Sequence, residues 1–385
     1  MAGPIQPSYV PALRMKAGEL AGLRDLAADV ADRVLPRIII PPIEERDQGL
    51  QGQLFKAEND PNIAEALAAH WQVRPVLVEA TYLLPELGRE SIGLWLPKMF
   101  ERARRAGVPA IPLVALTDLT TDSRDAYRAA CGTGPVRLGI IVSYADLGSH
   151  SALYLLLTQL QAMRLSPADC SIVVDFAGSD FSRPEIVAPV VGAALEMLQE
   201  AGLWRQVIFQ GTNFPTKNPA EPGGSCAVPR NEWTAWCQAV CFDPATAEHM
   251  LFGDYAADCA TMTFGEGARR PIPHYRYATS EAWLVQRGSA SGAHATVMRD
   301  VCIRIVESSG FAGQFFSSAD EYIFRAAQGQ AGPGNPTTWR AINTTHHITQ
   351  VVADIGRVRG FSLRQHASLR SLVQESLFTT PRRQP

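Results

Sequence analysis

The chain has 385 residues, 46% of them hydrophobic and 19% charged, with a formal charge of −3. This is globular composition, too apolar for general disorder. The near-neutral charge excludes a protein that depends on a broad basic surface to neutralise nucleic-acid phosphates.

Seven cysteines (Cys131, Cys170, Cys226, Cys237, Cys241, Cys259 and Cys302) form no CxxC pair, and their number is odd. They read as buried thiols in a reducing cytoplasm, not as a disulfide framework. Cys237 and Cys241 sit one helical turn apart, but no nearby Cys or His completes a metal set. The start, MAGPIQPSYV, is neither basic nor strongly apolar, and no window reaches 18 uninterrupted apolar residues. The expectation is therefore no signal peptide and no membrane span.

Eight short apolar, β-branched runs punctuate the chain: Tyr9–Leu13, Arg37–Ile43, Pro75–Ala80, Ala110–Leu116, Arg137–Ser143, Cys170–Phe176, Gln206–Gln210 and His249–Asp254. Several, such as SIVVDF, are apolar on consecutive positions, as in strands covered on both faces. Helical patterns fill the gaps, among them GELAGLRDLAADVADR, LWLPKMFERARRAG, SALYLLLTQLQAMR and EIVAPVVGAALEMLQEAG. Pro189 falls inside the last of these and predicts a kink. Start-to-start spacings of roughly 27 to 43 residues suit a strand, a loop and a crossover helix. Eight such units predict an α/β fold, a (β/α)8 TIM-like barrel; an open doubly wound sheet gives the same local pattern and is the runner-up.

The rhythm changes after the eighth run. Residues 255–291 form a long insertion containing HYRYATSEAWLVQRG, whose alternation predicts a hairpin placed as a lid over the catalytic end. Helices are predicted at Ala293–Glu307, Ala319–Gln328 and Thr337–Arg357, with GQAGPGNP between the last two. Residues 8–360 read as one barrel unit that includes the insertion and these helices, and 361–385 as a C-terminal extension with a frayed tail.

The segments YVPALRMKAGEL, PPIEE, the DF of IVVDF, FGDYA and YRYATSEAWLVQRG resemble, in order and spacing, the phage-type "beta protein" family. The resemblance spans about residues 8–360. It implies a whole-chain unit in a phage or mobile-element context and supplies no reaction.

In a barrel, chemistry gathers at the C-terminal ends of the strands. The polar residues there are Arg14, Lys16, Glu44, Glu45, Glu79, Asp118, Ser143, Asp146, Asp175, Gln210, Asn213, Asp254 and Tyr255. Glu79 and Asp175 each interrupt an apolar strand, where an unpaired charge is costly to bury. With Asp254 they form the candidate catalytic acids, and Mg²⁺ is the candidate metal that converging carboxylates could hold. The alternative for Glu79 and Asp175 is a structural ion pair with Arg74 or Arg137. Lys16 is a candidate anion holder or base; Glu19, in the first helical turn, suits the helix dipole. Arg276 and Arg287 offer forked donors and Tyr277 a stacking face for an anionic ligand. His346 and His347 are adjacent on a helix, point about 100° apart, and read as core or capping residues. GxxxxGK[ST], HExxH, GxSxG and a GxGxxG after a strand are all absent.

Two functions fit these residues. One is a cytoplasmic, metal-assisted hydrolase or lyase acting on a small anionic, phosphate-containing molecule. The other is a non-catalytic barrel that recognises a phage or host protein partner. Oligomeric state is not legible in the sequence.

Overall fold

The computed structural model describes residues 6–47, 54, 61–242, 249–262 and 272–363. The eight apolar runs all contain strands, and these form one parallel sheet. They are β1 (Ala12–Arg14), β2 (Arg37–Ile39), β3 (Val76–Glu79), β4 (Ala110–Ala115), β5 (Leu138–Ser143), β6 (Cys170–Asp175), β7 (Gln206–Gln210) and β9 (Met250–Leu251), hydrogen-bonded in chain order. The sheet is curled. Just before β1, Tyr9 forms parallel bridges to both Val34 and Phe252. Beyond β9, the Val10 amide donates to the Phe252 carbonyl at 2.9 Å and the Ala12 amide to the Asp254 carbonyl at 2.7 Å.

Consecutive apolar residues in these strands serve two cores. One side chain of each pair faces inward: Leu35, Leu77, Ile111, Ile141, Val173, Ile208 and Leu251 pack together with Val10. Their neighbours, including Ile38, Val78, Val114, Ile140, Val174 and Phe209, join the larger core against the helices. Burial on both faces is why these strands lack alternation.

The crossover helices are α1 (Ala17–Arg24), α2 (Ala28–Ala31), α3 (Ala64–Ala68), α4 (Leu83–Leu87), α5 (Ile92–Arg105), α6 (Thr121–Ala130), α7 (Tyr144–Leu147), α8 (His150–Ala162), α9 (Pro184–Ala201) and α10 (Asn231–Phe242). They follow the expected pattern in the main, but GELAGLRDLAADVADR, expected as one helix, divides in two, and the short helices at Leu83–Leu87 and Tyr144–Leu147 carry no expectation from the sequence. Helix α5 stops at Gly107, whose φ of +80° suits a residue without a side chain. Pro189 lies within a continuous α9.

One strand escaped the sequence reading. Strand β8 (Ser225–Pro229) lies between β7 and α10, and its short SCAVP stretch has one β-branched residue and ends in proline. The expected hairpin is present as β10 (His274–Ala278) and β11 (Ala282–Arg287), but it is part of a three-stranded antiparallel sheet in the order β10-β11-β8. Residues 263–271 of the 255–291 insertion, and 364–385 of the C-terminal extension, lie outside the described residues.

The three late helices are α11 (His294–Val306), α12 (Ser318–Ala327) and α13 (Pro336–Arg359). Asn335 caps α13 by accepting from the Thr338 amide at 3.0 Å, Pro336 opens it, and Gly360 closes it at φ +76°. Helix α13 lies directly on α1. A Cβ on Gly18 would stand 2.7 Å from Arg340 Cβ, and one on Gly22 would stand 2.7 Å from Thr344 Cβ. Glycines one turn apart on α1 thus let the last helix reach the strand ends.

Candidate functional site at the C-terminal mouth of the sheet

Arg14 ends β1 with its side chain buried. Its guanidinium meets the Asp258 carboxylate and donates to the Thr261 carbonyl at 2.7 Å. Asp258 is not held by Arg14 alone. Arg276 from β10 reaches its Oδ1 at 2.5 Å, and Arg340 from α13 reaches its Oδ2 at 2.5 Å. Burial alone would raise the Asp258 carboxyl, but the Arg276, Arg340 and Arg14 guanidinia together hold it well below the usual carboxylate range. Glu19 is the second acid of the group. It accepts the Arg14 amide and lies 3.6 Å from the Arg14 guanidinium and 3.8 Å from that of Arg340. Burial pushes its carboxyl up against the pull of those two arginines. Three arginines therefore face two carboxylates, and Arg340 keeps 30% of its side chain open to solvent.

Next to this cluster lies a smaller ion pair. Arg37 on β2 donates Nε and Nη2 to Glu79 Oε2 of β3 at 2.9 and 2.8 Å, and Thr81 donates to Glu79 Oε1 at 3.2 Å. Asp175 and Tyr255 also lie close enough to Arg37 to interact with it electrostatically. Its Nη1 is buried and has no hydrogen-bond partner among the described residues. The ring of Tyr255 lies 6.0 Å from the guanidinium carbon, and burial raises its phenol. Tyr82 links the two groups: burial raises its phenol first, Glu79 adds to that, and both Arg37 and Arg14 oppose it. Ala12, Ile39, Tyr255 and Met262 make an apolar floor, with Tyr82, Ala177 and Ala260 packed against it.

Asp175 ends β6 at this same mouth. Its Oδ1 accepts the Ala177 amide at 2.8 Å, the side chain is half-buried, and no described side chain bonds to it. The structural alternative foreseen for the two strand acids is realised differently: Glu79 pairs with Arg37, while Arg74 binds Asp32 at 2.9 Å and Arg137 donates to the Gly132 carbonyl.

The other sequence candidates divide clearly. Lys16 pairs with Glu45 at 3.0 Å beside the mouth, and Glu44 is exposed in the 3₁₀ turn Ile43–Glu45. Asp254 does not join Glu79 and Asp175. It is fully buried, accepting from the Tyr9 hydroxyl, from His347 Nε2 at 2.7 Å and from the Ala256 amide at 2.9 Å. Burial raises its carboxyl, but His347 and these hydrogen bonds bring it below the usual range. Gln210 is likewise enclosed, its Nε2 donating to the Asp254 carbonyl at 2.7 Å. Tyr277 turns away, donating to Asp320 at 2.6 Å and stacking on His346 at 3.7 Å between ring centroids. Arg287 donates to the Ala220 carbonyl at 2.9 Å on the small sheet, apart from the arginine cluster. His346 and His347 are both buried, each against its own carboxylate.

The sequence reading missed Arg37, Tyr82, Asp258 and Arg340, and took Glu19 for a helix-dipole residue only. Arg37 carried the same signal as Glu79, a charge inside an apolar run, and Asp258 closes the FGDYAAD segment. Arg340, more than 320 residues from Arg14 in sequence, carried none. Among the described residues, no group of three or more His, Cys, Asp or Glu is placed to hold a metal ion, and all seven cysteines are free.

The sequence profile of the beta protein family matches residues 9–353. The chain belongs to the beta protein family. No curated protein matches it. Among solved structures, the carboxyl transferase domain (Y628A) of Rhizobium etli pyruvate carboxylase with pyruvate is similar at 11% identity and a TM-score of 0.34. The match covers 96% of this chain and 55% of that one, so this beta protein spans about half the length of that structure. Among the described residues, no helix is long and apolar enough to cross a membrane.

Proposed function

We propose that this beta protein binds a small anionic molecule at the C-terminal mouth of its sheet, and that Asp175 serves there as a proton acceptor or donor. The reaction class is hydrolysis or elimination on a phosphate- or carboxylate-bearing substrate. The observation that carries this reading is the convergence of Arg14, Arg276 and Arg340 on Asp258, at the same strand ends where Asp175 has no hydrogen bond from a described side chain. Guanidinium forks suit phosphate and carboxylate oxygens, and a surplus of them over carboxylates favours an anion. Tyr82 and Tyr255 add aromatic faces for the rest of the ligand.

Closure of the sheet into a complete (β/α)8 barrel is part of this reading, supported by the Tyr9–Phe252 bridge and the inner core to which all eight strand segments contribute. A barrel would make the mouth an enclosed basin. The Mg²⁺-assisted version has weaker support, because the three acids it would use do not form one group. A role in phage or mobile-element biology is consistent with the family resemblance. The second reading, a non-catalytic binder of a phage or host protein, is favoured by one fact: Arg37, Glu79, Lys16 and Arg276 are already engaged within the chain.

Asp175→Asn separates these readings. The amide keeps the shape and can still accept from Ala177. An unchanged melting temperature with phosphate binding retained and turnover of phosphoesters lost supports the catalytic role. Destabilisation on the order of 3–5 kcal/mol would make Asp175 a structural charge instead.

A further inference from the structure

The opposite end of the sheet carries a feature that the mouth does not explain. Where the strands begin, a cavity of about 650 Å³ opens between the segments entering β2 to β5 and β7. Its floor is the inner core of the curled sheet coming to the surface at Leu35, Ile111 and Val136. A second cavity of about 360 Å³ adjoins it, and the two share Gln6, Pro7, Arg205 and Gln206. Among the described residues no Asp or Glu lines either cavity, whereas arginines line both. Arg104 is committed to the Ala130 carbonyl at 2.8 Å and Arg359 to the Met250 carbonyl at 2.8 Å. The Arg205 side chain is exposed and makes no hydrogen bond or ion pair with a described residue. The volume falls in the range of small-molecule sites, which are mostly apolar with a few placed polar groups.

An independent observation marks the rim. Val73 lines the larger cavity, 76% exposed and with its backbone at φ +57°. A β-branched residue is strongly disfavoured in that region, and an exposed one gains little from burial in return. Folding alone would place glycine or asparagine there. Strain of this kind persists where the surrounding structure enforces it, here with the Val73 amide donating to the Gly107 carbonyl at 3.0 Å, and it holds an apolar group over the cavity.

We propose that the N-terminal face of the sheet is a second ligand site, for a small amphipathic monoanion. An alkyl or aromatic body would lie over Leu35, Ile111 and Val136 beneath Val73, with its anionic head toward Arg205. The site is independent of the arginine cluster at the other mouth, because the two lie at opposite ends of the same strands.

Calorimetric titration with decanoate, kept below its micelle concentration, tests this on the full chain, with the neutral 1-decanol as comparison. The expected result is saturable binding of one decanoate per chain, with 1-decanol weaker by about tenfold for lack of the charge-assisted contact. Arg205→Gln should weaken decanoate by about tenfold. Val73→Gly should weaken it by about threefold or more while raising the melting temperature, because it removes an apolar contact and relieves the backbone. Both residues are exposed, so neither variant threatens the fold. Arg340→Gln, at the other mouth, should leave decanoate affinity unchanged. The proposal is overturned by no saturable binding, by equal affinity for decanoate and 1-decanol, by unchanged affinity in both rim variants, or by loss of binding in Arg340→Gln.

Discussion

The indole Nε1–H of Trp283 donates to His347 Nδ1 at 3.2 Å, and this bond fixes the proton on the opposite ring nitrogen. His347 Nε2 must then be the donor to Asp254 Oδ2 at 2.7 Å. A strand of the small sheet thus sets the tautomer of a histidine on α13, and that histidine locks the end of the last parallel strand. Asp254 belongs to this buried chain of Tyr9, His347 and Trp283, which joins the small sheet, the last helix and the start of the large sheet.

The first prediction concerns that histidine. Burial lowers the His347 pKa more than Asp254 raises it, so the ring stays neutral at pH 7. Long-range ¹H–¹⁵N correlation spectra should show His347 protonated at Nε2 and unchanged between pH 8 and 6.5. With a folded pKa below the unfolded one, its contribution is complete above the unfolded value and is lost as pH falls below about 6.5. A His347 resonance that titrates near or above the ordinary histidine value contradicts this arrangement.

Glu232 predicts a slope of opposite sign. It is completely buried at the start of α10, and burial pushes its carboxyl up to about 8. The folded chain therefore holds a proton that the unfolded chain releases near pH 4.5. Its contribution is full below that pH and is lost as pH rises to about 8. Glu232→Gln keeps an acceptor for the Asn213 amide, which donates to Oε2 at 3.1 Å. The variant should gain on the wild type between pH 5 and 8, by at most about 4–5 kcal/mol. A pH-independent difference in denaturant midpoint between the two proteins would refute the buried neutral carboxyl.

Helix contact gives a third prediction. Gly22→Ala should destabilise by about 1–3 kcal/mol, because the new methyl meets Thr344 Cβ at 2.7 Å and its overpacking outweighs the gain in helix propensity. Gly192→Ala in α9 is the control, since nothing lies within 4 Å of the added Cβ. It should stabilise by about 0.5–1 kcal/mol. Equal effects at the two positions would mean that α13 does not press on α1.

The eight parallel strands were legible because strands buried on both faces write continuous apolar runs, and the crossovers fix their spacing. Strand β8 was not, since a short edge strand with a proline leaves no such record. The candidate acids were legible only as charges out of place. Glu79, Asp175 and Asp254 carry the same signal in sequence, yet one is paired, one is open and one is locked in a buried network. What separates them is the partner across the fold: Arg37 from the neighbouring strand, and His347 from a helix more than 90 residues away. The arginine cluster was half legible, with Arg14 and Arg276 flagged, Asp258 only as the end of the distinctive FGDYAAD segment, and Arg340 supplied by tertiary contact alone.

The anion proposed for the arginine cluster at the C-terminal mouth is tested by calorimetric titration of inorganic phosphate into the wild type and Arg340→Gln. Arg340 is partly open and sits at the edge of the cluster, so its loss should leave the fold intact while removing one of three guanidinia. The account predicts saturable phosphate binding that weakens with added salt and falls by about tenfold in Arg340→Gln. No phosphate binding by the wild type, or equal binding by both proteins, would contradict it.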